Sequence, residues 1–197
     1  HEMKLRKVFD KLKQHNIYIK DGKMSLFQSS CKFLGHTLTP EGVKPQYSKI
    51  AAIENWPEPT NVSEVRQFLG LVGYFQKYIF RFTEKARPLQ KLTQSTVVFP
   101  DKLTPEQLES FNQLRQALTT QPVLALPDQE AANSGKSPYV IITDTSALGI
   151  GGCLMQNTDG TGLRPVAYES RALLPSEANK SAGALELLGL YHCVKVW

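Results

Sequence analysis

The chain has 197 residues, 41% apolar and 21% charged, with a formal net charge of +5; this balance excludes a disordered or low-complexity tail and suits one or two globular domains with real cores. No apolar run approaches a membrane span and no signal peptide is visible, while Cys31, Cys153 and Cys193, lacking any C-x-x-C spacing, read as reduced core residues of an intracellular protein. The charge is uneven: residues 1–100 hold 16 Lys/Arg against 8 Asp/Glu, and residues 101–197 hold 7 against 10. The first half therefore reads as a polyanion-binding surface and the second as a module whose acids are put to work.

Leu5, Val8, Phe9 and Leu12 fall on one face of a helix over residues 2–15. Ile17-Tyr18-Ile19 and Lys23 to Phe27, separated by Asp21-Gly22, carry hairpin signals, as do Cys31 to Thr39 and Val43-Lys44 around Pro40-Glu41-Gly42. A helix near 46–55 ends before Trp56-Pro57-Glu58-Pro59, a stiff connector because proline fixes φ and lacks an N–H. Both ends of the chain read as cut inside helices.

The spacing next predicts one helix over 62–82, with Asn61 as N-cap and Glu64 three residues on. Val65, Phe68, Leu69, Val72, Phe75 and Ile79 form its core stripe. Arg66, Gly70, Gly73, Tyr74, Lys77 and Arg81 form the opposite one. An interior glycine costs a helix about 1 kcal/mol, so a closely approaching partner is expected there. The basic groups, the glycines and the Tyr74 ring suit phosphates, sugars and bases; helix–helix packing through the glycines is the alternative. Residues 87–105 read as a loop-rich linker, Leu108, Phe111, Leu114 and Leu118 as one face of a helix, and 128–137 as a polar loop.

Strands are expected near 139–144, 150–156 and 163–170, then a helix from about Ser176 or Asn179. Asp144 ends the first strand, followed by Thr-Ser-Ala-Leu-Gly-Ile-Gly-Gly. That places a carboxylate at a sheet edge beside a glycine-rich hairpin with room for a substrate backbone. The last helix is apolar nearly all round, so it is expected to be buried, and Glu186 is the only acid between Glu177 and the end of the chain. A buried lone carboxylate needs a partner, and a divalent cation shared with Asp144 is one candidate. His36 and His192 are read as structural.

The sequence resembles the Pol polyprotein of gypsy-type LTR retrotransposons. The matching residues include His1 with Leu5 and Val8-Phe9; Phe33-Leu34-Gly35-His36; Gly42-Val43 with Pro45; and Trp56-Pro57. They continue through Arg66 with Phe68 to Leu71 and Tyr74, Ala86 with Pro88-Leu89, Pro122-Val123-Leu124, Thr143-Asp144, Leu154 with Gln156, Pro165 to Tyr168 with Ser170-Arg171, and Glu186-Leu187-Leu188. The resemblance implies an α+β / α/β architecture in three parts. Residues 1–45 would end a reverse transcriptase palm, with Phe33, Leu34, Gly35 and His36 similar to the primer grip. Residues 46–98 would form a helical thumb and linker, with Arg66, Gly70 and Tyr74 along the minor groove of the template–primer, matching the stripe that periodicity extends to Gly73, Lys77 and Arg81. Residues 99–197 would form the N-terminal half of a ribonuclease H domain, a mixed sheet with helices.

Asp144 and Glu186 would then be catalytic carboxylates and Mg²⁺ ligands of a two-metal site. The parent would make DNA on an RNA template and cut RNA in RNA–DNA hybrids; its partners would be the hybrid, the template–primer duplex and the rest of the polyprotein, inside a cytoplasmic particle or the nucleus. The 197-residue chain alone is expected to be inactive, since the Tyr-x-Asp-Asp motif is absent and the set of acids is partial. Ala184, Lys180, Thr145 and Met24 depart from the usual Glu, Tyr, Ala and Cys. A non-catalytic nucleic-acid-binding module, connection-like or domesticated, is the alternative, and a structural interaction protein a further one.

Overall fold

The computed structural model describes residues 2–120 and 123–197; His1 and Pro122 of the resemblance lie outside them. Helix α1 (Glu2–Gln14) has no buried residue. The hairpin expected over 17–27 does not form: a short 3-10 turn spans Asp21–Lys23, and Ile17, Tyr18 and Ile19 stay 55%, 89% and 43% exposed. The segment instead lines an open cavity with Phe9 and Leu12 of α1, and two short runs without a third strand bury too little to hold a ladder.

The following segment makes three short antiparallel strands, β1 (Cys31–Phe33), β2 (His36–Thr39) and β3 (Gly42–Pro45). Leu34 and Gly35, at φ 45° and 72°, turn β1 into β2. Gly42, at φ 140°, lies so close under the Leu124 carbonyl that a side chain there would collide with it. Val43 and Leu124 exchange two backbone hydrogen bonds of 2.7 and 3.0 Å, and Ala125 N–H donates to the Pro165 carbonyl at 2.7 Å. One short segment thus ties the first sheet to the second.

Four helices form the main core. These are α2 (Tyr47–Glu54), α3 (Val62–Tyr74), α4 (Phe82–Lys91) and α5 (Pro105–Thr119). Asn61 caps α3 by accepting the Glu64 N–H at 3.0 Å, and Thr104 and Gln107 cap each other at the start of α5. Val65, Phe68, Val72, Phe75, Ile79, Phe111, Leu114 and Leu118 are buried together. The single helix expected over 62–82 is broken: α3 ends at Tyr74, a 3-10 turn covers Gln76–Tyr78, and Arg81 adopts a left-handed φ of 56° before α4. Phe75, Tyr78, Ile79 and Phe82 are all buried by this path, so the break keeps the apolar stripe while redirecting the chain. The expected linker is shorter too, because α4 runs through Arg87-Pro88 to Lys91.

The second sheet is an antiparallel meander of β4 (Val140–Thr145), β5 (Gly149–Gln156) and β6 (Arg164–Ala172). Before it, α6 (Gln129–Asn133) occupies part of the expected polar loop, capped by Asp128. Gln156 is fully buried: its amide donates to the Asp128 and Ser137 carbonyls, both at 2.8 Å, and accepts the Asp128 N–H. The last helix, α7 (Ala182–Val196), starts later than expected. The expectation that it is buried is wrong. Only Leu185, Gly189 and Cys193 are buried, one face packed on the sheet, while Leu187 and Tyr191 are 70% and 64% exposed. Cys31 is likewise exposed, whereas Cys153 and Cys193 are buried; all three are free thiols.

Candidate metal and nucleic-acid site

The central strand β5 is close to both flanking layers because it carries glycines facing opposite ways. A Cβ on Gly151 would lie 3.0 Å from Arg81 Cγ, near the Phe80 ring; one on Gly152 would collide with Cys193 Sγ and lie 3.3 Å from the Trp197 ring. The room expected for a substrate backbone at this hairpin is therefore filled by the chain itself, by the joint before α4 on one face and by α7 on the other. Thr83 N–H donates to Ser170 Oγ at 3.0 Å, and Phe80 packs on the Tyr168 ring, fixing that joint to β6.

Asp144 pairs with Gly151 across the β4–β5 ladder, so it lies on the face that meets Arg81. Arg81 Nη1 stands 3.3 Å from Asp144 Oδ2. Its Nε lies 3.0 Å from Glu84 Oε2 and its Nη2 donates to Glu84 Oε1 at 3.2 Å. Ser146 Oγ also donates to that Glu84 oxygen. The neighbouring Thr145 faces the other way, its hydroxyl against Gly189 of α7 so tightly that a Cβ there would collide with it. Thr145 Oγ1 is buried and has no hydrogen-bond partner among the described residues.

Glu186 is one helical turn before Gly189 and is exposed, contrary to the expectation of a buried carboxylate. Its solvation removes the argument that it must find a partner in the fold. Among the described residues no three His, Cys, Asp or Glu side chains gather as a metal cage. Carboxylate oxygens suit a hard divalent cation in kind, but Asp144 lies on the Arg81 face of β4, opposite the face that Thr145 turns to α7, and is already paired with that guanidinium, so the donors are too few to make a closed site.

The residues before α7 are locked by charge. Arg171 grips Glu177 in a fork, at 2.7 and 3.0 Å, and Glu177 also accepts the Leu174 N–H at 2.8 Å. The Arg171 guanidinium and that N–H pull the Glu177 carboxyl down to about 2. His192 bridges Arg171 and Glu169 at 3.4 and 3.1 Å, a structural post between α7 and β6.

At the other expected site, Phe33 and Leu34 stand 60% and 69% exposed at the hairpin tip. Tyr74 OH donates to the Leu34 carbonyl at 2.5 Å and its ring stacks on His36. A Cβ on Gly35 would touch that ring at 3.2 Å. Tyr78 OH and His36 Nδ1 are 3.0 Å apart; burial, with Lys77 nearby, lowers the imidazole pKa. The hairpin and the end of α3 are thus one aromatic unit. The stripe of cations read from periodicity is largely committed: Arg66 donates to the Thr93 carbonyl at 2.9 Å, Lys77 lies over the Tyr78 ring, and Arg81 holds two carboxylates. Gly70 is open to solvent, and Gly73 faces Phe82. Sequence reasoning missed Arg87 and Lys91, which form no ion pair among the described residues. They line a cleft of about 350 Å³ with Gln90, Gln94 and Leu148, next to the turn that follows Asp144. Their i,i+4 spacing was the available signal.

Residues 103–197 match the family described as the RNase H-like domain found in reverse transcriptase, which fits a three-stranded antiparallel meander followed by a packed helix. Over its full length the chain is similar to Pol polyproteins of transposons. It is 35% identical to the retrovirus-related Pol polyprotein from transposon 297 of Drosophila melanogaster, covering all of this chain and 18% of that protein. It is also 30% identical to the transposon Tf2-3 polyprotein of Schizosaccharomyces pombe, covering all of this chain and 14% of that one. The chain thus spans under a fifth of these relatives. The fold is similar to that of the foamy viral protease-reverse transcriptase in complex with RNA/DNA hybrid, with a TM-score of 0.75 at 23% identity, over 98% of this chain and 25% of the other. The same protein in complex with dsDNA gives 0.73.

Proposed function

We propose that the chain is the template–primer-holding segment of a Pol polyprotein together with the first part of its ribonuclease H site. In this reading residues 1–45 end the palm, with the Phe33–His36 hairpin at the primer terminus; residues 46–98 are the thumb and linker; and residues 99–197 begin the ribonuclease H domain. The parent makes DNA on an RNA template and hydrolyses RNA within hybrids, inside the cell. The observation that carries the reading is the match of residues 103–197 to the ribonuclease H-like family, a region in which β4, with Asp144 on its Arg81 side, packs against α7, which bears Glu186.

Asp144 and Glu186 would hold Mg²⁺, which when bound supplies an activated water and charge stabilisation at the leaving oxygen. The chain's own residues bind and orient. The exposed hairpin tip meets the primer end. The Arg87 and Lys91 side chains meet phosphates beside the Asp144 turn. Tyr74 and His36 keep the tip in register with α3.

One observation favours a second reading, a non-catalytic connection-like binding module: Arg81 already occupies Asp144. Fluorescence anisotropy with an RNA–DNA hybrid tests what both share. Binding should weaken steeply with salt, and reversing both Arg87 and Lys91 to Glu should reduce the logarithmic salt slope by about 1.5 to 2. Absent or salt-independent binding overturns both readings. In the full parent, Asp144→Asn and Glu186→Gln then separate them: loss of Mg²⁺-dependent RNA cleavage supports the catalytic reading, and unchanged cleavage sinks it.

A further inference from the structure

The Arg81–Asp144 pair joins two parts of the molecule that otherwise meet through packing and the Thr83–Ser170 and Ser146–Glu84 hydrogen bonds. Arg81 stands between the 3-10 turn and α4, and Asp144 is the penultimate residue of β4. The pair is only partly shielded, with side-chain exposures of 31% and 46%, so solvent and a small cation can reach the carboxylate. Arg81 divides its guanidinium unequally: two nitrogens face Glu84 and one faces Asp144. Withdrawing the Asp144 arm leaves the cation held by Glu84, so release costs little. Arg81 also holds a left-handed backbone, which an arginine adopts at a cost of about 1–3 kcal/mol and keeps only where its surroundings impose it. Here the stem packed over Gly151 and the two carboxylates impose it.

We propose that Arg81 is the resident counter-ion of Asp144 and that a divalent cation and the Arg81 guanidinium compete for that carboxylate. The inference rests on the reading of Asp144 as a metal ligand and adds what opposes the metal. With the cation absent, Arg81 neutralises Asp144 and pins the joint before α4 to the sheet. With the cation bound, that arm swings to Glu84, and the joint and α4 keep their packing and the Thr83–Ser170 and Ser146–Glu84 hydrogen bonds. By linkage, whatever pulls this joint off the sheet raises affinity for the cation by the same factor that the cation loosens the joint. A duplex that engages the Arg87 and Lys91 side of α4 is therefore placed to adjust metal occupancy at Asp144.

The probe is Mn²⁺ titrated into the 197-residue chain, read as paramagnetic broadening of the amide signals of residues 143–147. Arg81→Asn removes the charge while tolerating the left-handed backbone, and should tighten Mn²⁺ binding about three- to tenfold, the range for losing one partly screened positive neighbour. Arg81→Lys keeps the charge and should stay within about twofold. Asp144→Asn should abolish the localised broadening. If Arg81→Asn disturbs the amide spectrum as a whole, Arg81→Gln carries the same expectation. Unchanged or weaker Mn²⁺ binding in the neutral variants, with Asp144→Asn still abolishing it, overturns the counter-ion role and leaves the metal reading standing. Broadening that survives Asp144→Asn, or is absent in both the parent chain and the neutral variants, overturns the metal reading and the inference with it.

Discussion

The helical body and the second sheet are built on opposite plans. Around α2 to α5 large side chains interlock: Phe68 is fully buried with ring centroids 4.6 Å from Phe111 and 6.0 Å from Trp56. In the sheet, β5 contributes Gly149, Gly151 and Gly152, and its neighbours come to the backbone. The outer face of α7 remains apolar and exposed. The difference shows where stability and adaptability lie. The helical body supplies a closed core, whereas the sheet is held by close approach, one forked ion pair and one shared carboxylate.

The largest expected effect tests the closed core. Phe68→Ala should cost about 3–5 kcal/mol in denaturant unfolding, from lost burial and a cavity among aromatic rings; a cost below about 1 kcal/mol would mean that the body is not the stabilising region. Gly189→Val forces atoms against Thr145 and should cost about 1–3 kcal/mol. Hydrogen exchange should then rise in α7 and β4 first while α3 keeps its protection. Equal loss everywhere would show a single cooperative unit.

Acid should weaken the sheet through Glu177. Its folded pKa is about 2 against 4.5, a depressed carboxyl, so its contribution is present above about pH 4.5 and is lost as pH falls towards 2. Thermal melts across that window should flatten in Glu177→Gln; an unaltered profile would remove the ion pair from the account. The smallest effect is a gain. Thr145→Ala deletes a buried hydroxyl without a partner and should stabilise the fold by about 1 kcal/mol, read as a raised melting temperature; a lowered one would mean that the hydroxyl has a bond.

Much of this was legible in sequence. Asn61 with Glu64, Leu108 to Leu118, and the three strands announced themselves by cap chemistry and period. The break after Tyr74 did not, because Phe75, Ile79 and Phe82 satisfy a continuous helical stripe as well as they satisfy a helix, a turn and a second helix. The left-handed residue that redirects the chain is Arg81, where glycine or asparagine would have been the cue. At the candidate site, sequence pattern places Asp144 on a strand and Glu186 on a helix, as in the structure, but does not give their surroundings. An apolar helix reads as a buried one, although Leu187, Tyr191 and Val194 of α7 are exposed, and glycines read as space for a ligand when other parts of the chain use that space. Arg81 was assigned to phosphates because its partner Asp144 lies far along the chain, where no local spacing could reveal the pair.

The paired glycines of β5 reverse the usual direction of mutational harm. In most cores damage comes from taking atoms away. At Gly151 and Gly152 nothing can be taken away, and the smallest possible change, one methyl group, pushes on the joint before α4 at one position and on α7 at the next. The strand is therefore a spacer whose thickness sets the separation of the two elements flanking the candidate site, and variation there would tune geometry, at Gly151 by pressing on the Arg81 stem and at Gly152 by pressing on Cys193.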